Sequence, residues 1–364
     1  MKRWLAASII AVGLAKNIVH GQPLQQNSSE VKTEGTKWQL SHRLQGGWEH
    51  DSNIYEASSQ LTIKASGSAR FLLSTRGDRR NNLWQIHYDY AAALQTYPGF
   101  GNENKLSHDL NGLAGVRLKS WLQVSAKANA TLKFYLENVA DYGTTSGNLT
   151  VSVFLPHQIT VSLGGETGQL DYAAEDDFDF TFRGLDLGLR RALSSSGLLE
   201  AALNRRAFRY QRPAQAYGEN QTLLLKSHAQ RDALTTLRVA LTYGRKIVTQ
   251  IALETQANRS NSFGYDFKRL RVSGLLGFRP ARGWMLRAAG LLQNKRYRDD
   301  LAQLNLRDLD TEREQSNFLV VDLSRDLSAE ISLVTRAAFY DNESTVPGIF
   351  YRKILYFTGV EIRL

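Results

Sequence analysis

The chain has 364 residues, a formal net charge of +10, 42% hydrophobic residues and no cysteine. The missing cysteine excludes disulfides, thiolate metal sites and a lipid-modified N-terminal cysteine. The basic excess is scattered singly through alternating segments rather than gathered on a helix, which argues against a nucleic-acid-binding protein.

Met1-Lys2-Arg3 precedes the apolar run Trp4 to Ala15, and Val19-His20-Gly21 offers a cleavage point ahead of Gln22. Residues 1–21 read as a secretory signal peptide. Residues 22–37 are polar and aperiodic, as in a flexible periplasmic lead-in. No later stretch approaches the roughly eighteen consecutive apolar residues of a membrane helix.

From Trp38 onward the chain alternates with a period of two, the signature of strands with one apolar face. Trp38, Leu40, Leu44 and Trp48 share a face, opposite Ser41, Arg43, Gln45 and Glu49. A second strand lies between Gln60 and Arg76, its start obscured by Ser66-Gly67-Ser68, with a polar turn at 77–82. Clear alternation follows from Trp84 to Leu94, Leu106 to Leu118 and Leu122 to Phe134, then on both sides of Pro156-His157-Gln158. The phase slips near Arg183-Gly184, where a bulge is expected. Further alternating pairs flank Ser194–Gly197, Gly244–Lys246, Arg279–Gly283 and Ser324–Ser328.

Short turns thus alternate with longer links, and every proline after Gln22 falls in a link. Aromatic residues gather at strand ends: Trp38, Trp48, Tyr97, Tyr135, Tyr142, Tyr172, Tyr210, Tyr243, Trp284, Tyr297, Tyr340 and Tyr351. That placement fits girdles at a membrane interface. The fold expected for residues 38–364 is all-β, a transmembrane antiparallel up-and-down β-barrel of about sixteen strands, with about fourteen as the alternative. The last segment alternates to the final residue, with Ile354, Tyr356, Val360, Ile362 and Leu364 on one face. A chain ending mid-strand needs a partner on each edge, which closure supplies.

Within that segment, Gly359-x-x-Ile362-x-Leu364 resembles the C-terminal signal strand of bacterial outer-membrane β-barrel proteins, with Leu364 where an aromatic residue is usual. The resemblance implies recognition by the barrel-assembly machinery through Gly359, Ile362 and Leu364, and a place in the outer membrane of a Gram-negative bacterium. The stretch from Gly47 to Tyr55 is similar to the first strand of barrels that follow tetratricopeptide domains, including surface-lipoprotein assembly modifiers. It implies the barrel without their repeat domain and carries over no activity.

With the apolar faces toward lipid, the polar faces line the lumen. They bring Arg43, Arg117, Lys127, Lys133, Arg238, Arg269, Arg271, Arg287 and Arg336, with Lys353 and Arg363, against Asp89, Asp109, Glu137, Glu166, Glu200, Glu254, Glu330 and Glu361. Such a wall would favour anions, and internal ion pairs account for most single residues. His87, Asp89, Ser107 and Asp109 offer the residue types of a hydrolase triad, outweighed by a structural role for each. Asp171, Asp179 and the run Glu175-Asp176-Asp177 could hold a divalent ion but read better as a solvated loop.

The function expected is therefore a porin-like channel, not an enzyme, for small polar or anionic solutes, with no cofactor and no nucleic-acid partner. The alternative is an outer-membrane anchor, or an assembly or secretion partner without an open pore. The oligomeric state stays open. The links Tyr210 to Arg231 and Tyr297 to Thr311 are the two long enough to fold inward.

Overall fold

The computed structural model describes residues 37–55, 63–137, 141–173, 176–218, 222–299, 317–342 and 351–364. The expected signal peptide, nearly all of the expected lead-in, Glu175 and much of the link after Tyr297 lie outside the described residues. Sixteen strands run in chain order: β1 Gln39–Asp51, β2 Ser66–Arg80, β3 Trp84–Thr96, β4 Lys105–Lys119, β5 Leu122–Tyr135, β6 Tyr142–Leu155, β7 Ile159–Tyr172 and β8 Phe180–Ala192. They continue with β9 Gly197–Tyr217, β10 Leu223–Gly244, β11 Ile247–Ser260, β12 Phe267–Phe278, β13 Trp284–Tyr297, β14 Asn317–Asp326, β15 Ile331–Asn342 and β16 Tyr351–Arg363. Each pairs antiparallel with its sequence neighbours, and β1 pairs with β16 to close the barrel. The expected sixteen-strand architecture is the one observed.

The exterior carries the large apolar side chains. Leu44, Phe71, Leu110, Leu149, Leu163, Leu187, Leu203, Leu237, Ile251, Leu270, Leu292, Leu319 and Leu333 are all exposed. A closed sheet that turns its hydrophobic face outward has a bilayer as its complementary solvent. No described helix is long and apolar enough to cross a membrane; the crossing elements are strands. The buried apolar cluster lies inside the barrel on its last four strands: Leu291, Phe318, Ala338, Tyr340 and Leu355.

Several boundaries differ from the sequence expectation. Ser66-Gly67-Ser68 is not a break but the start of β2, paired with Asp51, His50 and Glu49. Gly67 belongs there because the Trp48 indole of the neighbouring strand occupies the space that a Cβ would take. Strand β2 then runs through Gly77 to Arg80, and the turn is Asn81–Leu83, where the Asn81 side chain accepts the backbone N–H groups of Leu83 and Trp84 at 2.8 Å each. At Pro156–Gln158, His157 (φ 60°) and Gln158 (φ 59°) adopt the left-handed conformation, turning the chain as tight hairpins do.

No bulge occurs at Arg183-Gly184: β8 pairs without interruption with β7 and β9. The apparent slip arises because Phe180 and Phe182 turn inward, where they meet Phe208 and Tyr210 with ring centroids 5.3 to 5.6 Å apart. The register shifts lie between Arg117 and Lys119 on β4, and on β10 between Leu225 and Arg231. Tyr210 to Arg231 is not an inturned loop. Strand β9 continues to Tyr217 and β10 begins at Leu223, so the two extend as a hairpin beyond their pairing with β8 and β11. Pro213 therefore lies within a strand rather than a link.

Candidate functional site: the barrel lumen

Alternation along the strands sets the nine basic residues predicted for the lumen on the face opposite the exposed apolar series. Their surroundings divide them. Arg271 donates to Glu254 at 2.7 Å, Arg336 pairs with Asp322 at 2.5 Å, and Arg287 approaches the same Asp322 at 4.0 Å. Arg269 is buried against the Gln256 carbonyl oxygen at 2.9 Å. Lys133 is buried with its ammonium 4.8 Å from the centre of the Tyr135 ring and 5.5 Å from that of Tyr142. Arg117 lies over Phe154 at 5.5 Å near the short-turn end.

Arg43, Lys127 and Arg238 are different. None of them makes an ion pair or a ring contact with a described residue. Arg238 faces Glu254 directly across the ladder, but that carboxylate is engaged by Arg271 and by Gln256 at 2.8 Å. Arg43 borders a cavity of about 260 Å³ on the inner wall, bounded also by Glu49, Arg70, Asp89, Arg287 and Asp322.

The sequence reading missed inward cations on strands whose phase it could not set. On β2, Arg70 pairs with Glu49 at 2.8 Å and Arg76 with Asp89 at 2.7 Å. On β9, Arg206 grips Glu166 at 2.5 and 2.9 Å, and Asn204 donates to the same carboxylate at 2.7 Å. Arg212 is buried between the rings of Tyr210 (4.8 Å) and Tyr265 (4.7 Å). Glu137 and Glu330 lie in links, not on the wall.

The aromatic girdle is corrected in its outer half. Tyr97, Tyr135, Tyr142, Tyr210 and Tyr340 are buried on the lumen side, and Tyr172 and Tyr297 also occupy inward positions. Burial pushes the Tyr97 phenol above its ordinary range, and it donates to Asp51 at 3.1 Å. Lys105 lies over the Tyr97 ring at 5.6 Å and Lys295 over Tyr297 at 4.6 Å. The long-loop mouth of the lumen is thus faced with tyrosines and basic side chains. Toward the short turns, Trp38 and Tyr243 do face outward and are exposed. The Tyr351 side chain lies outside the described residues.

The triad candidates do not assemble. His87 lies opposite Leu113 and Ser107 opposite Ala93, so at about 3.4 Å per residue they stand roughly 20 Å apart. His87 instead bridges Asp78 at 2.6 Å and Asp89 at 2.7 Å. Among the described residues no cluster of acids and histidines could hold a metal ion. Asp179 spends its carboxylate on the backbone N–H of Tyr172 at 2.7 Å.

The residues of the two resemblances serve the closure. Glu49, Asp51 and Asn53 are buried, and Asp51 pairs across the seam with Lys353 at 2.9 Å. Gly359 and Ile362 pair with Gly47 and Leu44, and the Leu364 N–H donates to the His42 carbonyl at 3.0 Å.

Fold and wall together define a sixteen-strand membrane-type β-barrel with a charged lumen. No family model and no curated protein matches the chain. The chain is similar, at very low identity, to several solved outer-membrane proteins. One is a bacterial polysaccharide outer membrane secretin (6% identity, 89% of this chain and 98% of that one, TM-score 0.43). Others are a BenF-like porin from Pseudomonas fluorescens Pf-5 (8%, 91% and 100%, TM-score 0.46) and OmpT of Vibrio cholerae (7%, 92% and 100%, TM-score 0.45).

Proposed function

We propose that the protein is an outer-membrane channel that passes small polar or anionic solutes, without enzymatic activity. The observation that carries this is the division of the lumen cations. Arg70, Arg76, Arg206, Arg271 and Arg336 are neutralised by Glu49, Asp89, Glu166, Glu254 and Asp322 and brace the wall. Arg43, Lys127 and Arg238 make neither an ion pair nor a ring contact with a described residue, so their field is left for a passing solute. At about this strand number a barrel is wide enough for an aqueous channel. Vesicles loaded with refolded protein should swell in small anionic solutes faster than in cationic solutes of equal size. No swelling by folded protein would remove the channel.

A second reading has one observation in its favour. The β9–β10 extension presents Leu223, Leu224 and Leu225 exposed near its tip, which suits a docking element of an assembly or secretion partner. Shortening the hairpin between residues 213 and 229 separates the two: a channel keeps its flux, an assembly partner loses its cargo.

A further inference from the structure

We infer that the outward face of β8–β13, on the long-loop side of the apolar band, binds the phosphate groups of anionic lipids in the outer leaflet. This takes the outer-membrane placement proposed above as given. On each of these strands the outward series carries a cation toward the long-loop end: Arg183 after Leu185, Arg209 after Leu203, Arg205 and Ala207, Arg231 after Leu237 and Ala233. The pattern continues with Arg259 after Leu253 and Ala257, Lys268 after Leu270, and Arg296 after Leu292 and Asn294. All six are exposed, on the outer wall rather than in the lumen.

Their pairing makes one continuous row. Arg209 is directly opposite Arg231, and Lys268 directly opposite Arg296. Arg183 is opposite Ala207, hence diagonal to Arg209. Arg259 is opposite Ala233 and Lys268 opposite Ala257, which sets Arg231, Arg259 and Lys268 on successive diagonals. Direct like-charge pairs destabilise a sheet, and charge at a lipid-facing position is unfavourable unless it reaches the interface. No described carboxylate pairs with any of the six. What relieves such a row is a polyanion at the interface, where guanidinium groups engage phosphate through paired N–H donors.

The rest of the circumference lacks this feature. At the same end, the outward positions of β14–β16 and β1–β6 include Phe339, Trp48, Leu94, Leu106 and Phe134, those of β7 are Gln169 and Asp171, and Arg352 on β16 has Asp341 at 3.4 Å. The cations are therefore confined to one sector, as a lipid site would be, rather than spread as a uniform solubilising rim. Arginine stems can also lie along the apolar band while their heads reach the phosphates. The chemistry selects a lipid carrying more than one phosphate, such as a phosphorylated glycolipid.

The test uses the refolded full chain in neutral detergent, with bisphosphorylated lipid A as the probe and its dephosphorylated form and inorganic phosphate as controls. Native mass spectrometry should show lipid A adducts on the wild type and few with the dephosphorylated lipid. Replacing Arg209, Arg231, Lys268 and Arg296 together by Gln should weaken binding by about a hundredfold, while Arg43→Gln leaves it unchanged. Heat-modifiable gel mobility verifies that each variant is folded. Equal binding by the four-residue variant, no binding by folded wild type, or displacement by millimolar inorganic phosphate would each overturn the inference. Lipid retention that depends on the row, in a barrel that passes no solute, would uphold the inference and remove the channel instead.

Discussion

Gly47 and Gly359 face each other across the seam where the first and last strands close the barrel. A Cβ on Gly47 would lie 2.6 Å from the Gly359 Cα, and one on Gly359 would lie 2.9 Å from the Gly47 Cα. The backbones approach so closely that no side chain fits, and the gap is covered by the Phe357 ring. Gly359→Val should therefore abolish closure, seen as loss of the folded band on unheated gels. Gly112→Ala, with open space around it, should fold normally; equal yields from the two variants would contradict the packed seam.

Asp51 and Lys353 form the charged counterpart of that contact, with side chains 0% and 3% exposed. Removing one member of a buried pair leaves the other uncompensated, at a cost of about 3–5 kcal/mol. Lys353→Met should lower unfolding stability in detergent by that amount. The Asp51→Asn/Lys353→Met double variant should lose less than the two single losses combined.

The outward Ile251 lies in the middle of the apolar band on β11 and is exposed. In a bilayer, Ile251→Arg should cost about 2–4 kcal/mol. Folding into vesicles, followed by urea titration, measures the loss. An unchanged midpoint would mean that this face does not meet lipid.

Strand number, antiparallel order and most outward faces were legible because a period of two survives wherever one face is apolar. What period two cannot tell is which face is inside when both carry large rings. That ambiguity explains Phe180 and Phe182, whose inward turn resembled a bulge, and Tyr97, Tyr135 and Tyr210, which line the mouth rather than meet lipid. Gly67 misled for a related reason: the ring filling its place belongs to Trp48 on another strand. The lumen cations were legible as inward positions. Their division into paired and unpaired was not, since it depends on cross-strand partners such as Glu254, which sits opposite Arg238 yet binds Arg271.

The channel account stands or falls on Arg43, Lys127 and Arg238. Reversal potentials in planar bilayers under a salt gradient measure their effect directly. The wild type should prefer anions, and the triple Gln variant should lose at least about threefold of that preference while still conducting. Arg336→Gln, which breaks a braced pair, should change stability more than selectivity. A folded triple variant with undiminished anion preference, or a wild type that prefers cations, would contradict the account.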